Sequence, residues 1–246
     1  MSLFRKLFGQ ENAPTKKKPG KYEPMQHETK LGLIEKHGGI ALDKQHDLSD
    51  LIGDNDWNAD LEAGTITFGP HTFPIQVIGT YSFSSHTFLW AWANRKSDIA
   101  QALLQQATQL RKLGQDNDIK MFTQPQFDGD INDAHCIGLI ASGLFDASAY
   151  YIANYGEGAL LVTIKSDVID QARNSTPFFR IPTVFPQLIS LFEMHHRQAL
   201  VHYLTSSGYE ISSNEDGRQL SASRNGQHIT ASFDEQWRLT ELKAGN

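Results

Sequence analysis

His86-Thr87-Phe88-Leu89-Trp90-Ala91-Trp92-Ala93-Asn94 places two tryptophans two residues apart in an almost unbroken apolar run. Strand side chains alternate between faces, so a strand here sets Phe88, Trp90 and Trp92 on one side and Leu89, Ala91 and Ala93 on the other. Both sides are apolar, which predicts a central strand covered on both faces. Each tryptophan brings roughly 150–250 Å² of area to bury, so the core of the chain is expected around this run.

Upstream, Trp57 to Asn94 reads as a strand-rich block. Ala63-Gly64 marks a turn, and Thr72 to Phe83 alternates, with Phe73, Ile75, Val77, Tyr81 and Phe83 expected on one face. A four-stranded antiparallel meander is the simplest arrangement. Before it, Met25 to Ile52 carries a helical stripe (Leu31, Ile34, Leu42, Leu48, Leu51, Ile52), with Gly38-Gly39 predicting a kink. Downstream, Ser97 is the expected cap of a helix that runs through Leu113 and ends at Gly114. Ile119 to Phe127 reads as extended, and Asp130 or Asn132 as the cap of an apolar helix reaching Leu144. Ser148–Ala153 and Ala159–Ile164 form a hairpin. Residues 167–186 look irregular, with three prolines. Gln187 to Ser206 reads as the longest helix, followed by a small meander with a strong turn at Asn225-Gly226. The fold class expected is α+β, antiparallel meanders covered by helices. The expected divisions are 1–24, a flexible amphipathic segment and linker; 25–166, the main domain; and 167–246, a helix plus meander packed on it or continuous with it.

The run Trp57 to Gly69, then Pro74-Ile-Gln-Val-Ile-Gly-Thr-Tyr-Ser82, then Thr87 to Asn94, resembles an uncharacterised bacterial family marked by that tryptophan stretch. The resemblance covers about Lys30 to Lys165. It implies a bacterial, cytoplasmic protein, and it transfers no catalytic residue.

A formal charge of −6 argues against a nucleic-acid partner, which usually meets a basic face. The lone cysteine, Cys136, excludes an internal disulfide and fits a reducing compartment. No apolar run is long enough for a membrane helix, and no secretory leader is read at the start, so the cytoplasm is the expected location. Leu3, Phe4, Leu7 and Phe8 lie at helical spacing ahead of Lys16-Lys17-Lys18, which fits a frayed terminus with a solubilising tail, or else weak membrane-surface or partner contact through residues 1–24.

Chemistry-bearing motifs are sparse. Asp128-Gly-Asp130-Ile-Asn132-Asp133 begins like a calcium loop but has Asp133 where glycine belongs and Leu139 where glutamate belongs, so helix capping explains it better. The aspartates at 54, 56 and 60 fail the same test. Glu193-Met-His-His196 has Glu-x-x-His spacing without a second copy. His135 is adjacent to Cys136 and so faces away from it on a helix. Tyr155-Gly-Glu-Gly158 reads as a turn. No catalytic residue, metal or cofactor is assigned. The surviving candidate is a ligand-binding sheet face made of Trp57, Gln76, Tyr81, His86, Trp90, Trp92 and Asn94, although aromatics pack inside more often than they bind and the same residues describe an ordinary core. The leading functional expectation is a non-enzymatic module that binds a protein partner. The alternative is a small-molecule-binding protein or hydrolase using the tryptophan face.

Overall fold

The computed structural model describes residues 28–175 and 180–245. The class is α+β: helices accompany two antiparallel sheets, one of seven strands and one of four among the described residues. The expectations for residues 1–24 lie outside the described residues. The chain divides into two compact units, 44–175 and 28–43 with 180–245. Helix α1 (Lys30–Ile52) gives its residues up to Asp43 to the second unit and those from Lys44 onward to the first.

In the first unit the strands are β1 (Trp57–Asp60), β2 (Thr65–Phe68), β3 (His71–Ser82), β4 (Thr87–Trp90), β5 (Gln126–Asp128), β6 (Ala149–Asn154) and β7 (Gly158–Ile164). β1 to β4 form the expected meander, and β5 extends it. The hub is not the tryptophan strand but the twelve-residue β3, which pairs with β2, β4 and β7. The tryptophan run stays extended only to Trp90 and then turns into a 3₁₀ helix, Ala91–Ala93, so Trp92 leaves the strand. Only one face of β4 is fully buried, Phe88 and Trp90; Thr87 and Leu89 on the other are half-buried.

The β3 alternation is also interrupted. Val77 pairs with Val162, but Gly79 pairs with Leu161, which leaves Ile78 as a bulge. A bulge inverts the faces beyond it. Phe73, Ile75 and Val77 therefore share one side, while Tyr81 joins Gly79, Phe88 and Trp90 on the other. Gly79 is needed there: a Cβ would lie 2.4 Å from the Phe88 ring and 2.7 Å from the Leu89 carbonyl.

The helices of this unit are α2 (Gln105–Asn117), α3 (Lys120–Thr123), α4 (Ile131–Leu144) and α5 (Asp167–Ser175). Ser97 does not cap α2. Its hydroxyl accepts from the Asn94 amide, and α2 starts at Gln105 after a separate 3₁₀ turn. Gly114 lies inside α2, where a Cβ would sit 2.6 Å from the Phe122 Cβ. The segment expected to be extended from Ile119 holds α3 before β5. Asp130 caps α4 with a reciprocal capping box to Asp133, so this aspartate run is a helix start. Gln45 satisfies the outer backbone of edge strand β6: its amide donates to the Tyr150 carbonyl and accepts from the Tyr150 N–H, both at 2.9 Å.

The second unit combines residues 30–43 of α1 with α6 (Ile181–Leu191), α7 (His196–Ser206) and the sheet β8 (Glu210–Ser213), β9 (Gln219–Arg224), β10 (Gln227–Phe233) and β11 (Leu239–Gly245). α1 runs unbroken through Gly38-Gly39, because these glycines serve close packing rather than a kink. A Cβ on Gly38 would lie 2.9 Å from Leu188 Cδ1, and one on Gly39 would lie 2.6 Å from the Tyr203 Cβ. The segment read as one long helix from Gln187 is two helices: α6 ends at Leu191, and the chain is extended at His195, which caps α7 by accepting from the Gln198 N–H. Residues 167–186, expected to be irregular, hold α5 and the first half of α6. Pro182 sits in the first turn of α6, where no hydrogen-bonding N–H is required. The meander turns at Asn225-Gly226 as expected, both with positive φ.

Candidate functional site

The seven residues of the expected ligand face fall in five separate places. Trp90 is fully buried, its Nε1 donating to the Met121 carbonyl at 2.9 Å and its ring packed against Phe88, Phe122 and Trp92. Half-buried Trp92 stacks on Trp90 at 6.5 Å and carries the Arg111 guanidinium 4.2 Å over its ring. This is a filled aromatic core with a cationic lid. Gln76 braces the approach to α2, donating to the Ala102 carbonyl and accepting from the Gln106 N–H. Asn94 caps the 3₁₀ turn and holds Ser97. Trp57 stands on β1, opposite Phe68.

The remaining two residues, Tyr81 and His86, belong to a different place, the end of the sheet where three loops converge. The Tyr81 hydroxyl lies 3.2 Å from His86 Nδ1 and donates to the Gly129 carbonyl. The His86 carbonyl accepts from the Gly129 N–H, joining the β3–β4 turn to the β5–α4 loop. The Phe83 N–H donates to the Glu157 carbonyl, joining the same turn to the β6–β7 turn. His86 holds φ 53°, a left-handed conformation uncommon for a non-glycine residue, and so projects from a backbone fixed on both sides. Burial pushes the Tyr81 hydroxyl up, and the nearby Asp130 and Asp133 push it further, so Tyr81 remains a neutral donor. The three loops present Tyr155, 55% exposed, half-buried Phe83, and exposed His86, Asp128, Asp130 and Glu157. The place of the turn at 155–157 is not visible in the sequence, since only pairing across β3 and β7 brings it beside residue 83.

A second feature of this unit is an open hollow of about 460 Å³ between the β2–β3 turn and the start of α5, lined by His71, Phe73, Pro74, Lys165 and Asp167 among others. Its Lys165 is engaged, bonding both Asp146 and Asp170. Burial pushes the Asp146 carboxyl up, but hydrogen bonds from Lys44 and Lys165 outweigh this and hold it below the usual carboxylate range.

The other candidate chemistry is structural. His135 is buried, its Nδ1 3.1 Å from the Tyr150 hydroxyl, and burial lowers its pKa to about 3. Cys136 is buried beside it. The Glu193-to-His196 motif is not on one helix face, because the break before α7 runs through it. His196 accepts from the Leu239 N–H instead, and Glu35, not Glu193, meets this loop by accepting from the His195 N–H at 2.8 Å. Among the described residues, no group of three or more His, Cys, Asp or Glu is placed to hold a metal ion. No described helix is long and apolar enough to cross a membrane.

No curated protein and no solved structure matches this chain. The model of a family of unknown function, DUF6882, matches residues 32–166, which is more than half of the sequence and includes the tryptophan core and all three converging loops; the chain belongs to that family.

Proposed function

We propose that this chain is a non-enzymatic bacterial cytoplasmic module that binds a partner protein through the loop end of the first unit. The observation that carries this reading is the convergence of three loops, the β3–β4 turn hydrogen-bonded to each of the other two, which present Tyr155 and Phe83 together with exposed Asp128, Asp130 and Glu157. Aromatic side chains with little conformational freedom are the residues that anchor protein interfaces, and a surrounding polar rim excludes water from them. The acidic rim favours a partner segment with lysine or arginine next to an apolar side chain. Backbone bonds among the loops mean that little ordering entropy is lost on binding. The buried Cys136 supports a reducing compartment.

The open hollow at His71 and Lys165 supports a second reading, a small-molecule binder. One experiment separates the two. The purified protein from its native cell is analysed for bound proteins and metabolites together, beside Tyr155→Ala and His71→Ala. Loss of a protein partner with Tyr155→Ala alone supports the module; loss of a metabolite with His71→Ala alone supports the second reading.

A further inference from the structure

We propose that β11 is a self-pairing edge, along which two copies of this chain join their four-stranded sheets into one of eight strands. The proposal is independent of the loop end. Among the described residues no strand pairs with the outer side of β11, which is the last strand in the order β11-β10-β9-β8. At seven residues it is longer than β8 at the opposite edge, four residues. Long exposed edges are templates for another strand, and proteins usually blunt them. The blunting here is partial: the Leu239 N–H is closed by His196 Nδ1, while Thr240, Glu241, Lys243, Ala244 and Gly245 remain exposed.

The occupant is specified by the charge pattern. Glu241 and Lys243 lie on one face with side chains 53% and 67% exposed, and they flank Leu242. Their neighbours on β10 are Ser232 and Thr230, so no charge across the ladder consumes them. If two β11 strands run antiparallel with Leu242 opposite Leu242, Glu241 of each copy faces Lys243 of the other, giving two opposite-charge pairs. Shifting the register to put Glu241 opposite Glu241, or Lys243 opposite Lys243, sets like charges against each other, as does a parallel arrangement. Directly opposed like charges destabilise a sheet, so the pattern selects one orientation and one register. The inner face agrees. The row Leu220, Ala231, Leu242 is buried on its first two strands and half-buried at Leu242, where a second Leu242 would continue it.

A lysine alone on an edge repels a second copy, but a lysine two residues from a glutamate is self-complementary only toward an antiparallel copy of itself. In the single chain the two side chains bond each other at 2.7 Å. Pairing of two copies exchanges these contacts for cross-strand ones without stranding a charge.

Sedimentation velocity of the full chain from about 1 μM to several hundred micromolar tests the proposal, beside Glu241→Lys, Lys243→Glu and the exchange variant carrying both. Melting curves by circular dichroism establish that each variant folds, and the two single variants are independent of each other. The wild type should show a concentration-dependent monomer–dimer equilibrium. Each single reversal should weaken it by at least roughly tenfold, since two attractive pairs become repulsive, and the double exchange should restore it to within about threefold. A wild type that stays monomeric throughout overturns the proposal. So does a dimer indifferent to both reversals, or a double exchange that fails to restore pairing.

Discussion

Emptying the Trp90 site should destabilise the first unit by about 3–5 kcal/mol, and the size of the loss follows from the surroundings of that side chain. Trp90 is 0% exposed, closed by Phe88, Phe122 and Trp92. An indole brings about 150–250 Å² of area, worth about 4–6 kcal/mol at 25 cal per Å². A compact unfolded state hides part of that area already and lowers the figure by roughly 10–40%. Trp90→Ala therefore falls in the range typical of buried aromatic truncations. Trp90→Phe separates packing from hydrogen bonding. It keeps an aromatic ring in the site but leaves the Met121 carbonyl without its donor, for a loss of about 1–3 kcal/mol. Urea denaturation followed by circular dichroism at fixed pH measures both, with the slope compared to confirm that the same transition is observed. A loss below 1 kcal/mol for Trp90→Ala, or a larger loss for Trp90→Phe than for Trp90→Ala, would refute the reasoning.

Gly39→Ala should cost about 1–3 kcal/mol in the second unit, because the added methyl meets the Tyr203 side chain at 2.6 Å and α1 must move off α7; thermal melting reads it, and a neutral result would mean that the helices are not in close contact. Asp130→Ala removes a capping box from α4 and should cost about 1 kcal/mol, with Asp130→Asn recovering most of it; a larger loss, or a neutral one, would argue against a capping role. Acid should weaken the fold between about pH 6.5 and pH 4. Burial lowers the His37 pKa to about 4 and the His135 pKa to about 3, so the unfolded chain takes up protons first and stability present above pH 6.5 is lost as pH falls. Each such histidine contributes a slope of about 1.4 kcal/mol per pH unit within that window. Glu35, whose pKa burial raises, acts in the opposite direction and offsets part of the loss near its own pKa; a urea midpoint flat from pH 7 to pH 5 would contradict the histidine burial.

The α+β class, the β1–β4 meander, the β6–β7 hairpin and the Asn225-Gly226 turn were legible because each rests on local alternation or turn chemistry. The hub was not. β3 and β4 are both apolar, and only pairing with β7 shows that β3 has neighbours on both sides. The Ile78 bulge has only the neighbouring Gly79 as its signal in the sequence, yet it moves Tyr81 to the face of Trp90. Gly38-Gly39 was read for its helix cost when its role lies in the partners, Leu188 and Tyr203, about 150 residues away in sequence. Six prolines and aromatics between 177 and 186 hid α6, since Pro182 is harmless in a first turn. Trp90, Trp92 and Asn94 share a face only while the strand continues, and it ends at Trp90. Tyr81 and His86 lie close together in sequence, but Gly129 and Glu157 come from loops whose approach is set by strand pairing.

The most direct test of the partner-binding account is site-specific photo-crosslinking in the native cell, with a benzophenone amino acid at Tyr155 and, as a control, at exposed Glu62 in the β1–β2 turn. The account predicts one discrete crosslinked protein at position 155 and none at 62. It further predicts that the purified partner binds the wild-type chain and loses at least roughly tenfold in affinity for the variant Tyr155→Ala, the scale of an interface anchor. No crosslink at position 155, equal crosslinking at both positions, or unchanged affinity of Tyr155→Ala would contradict it.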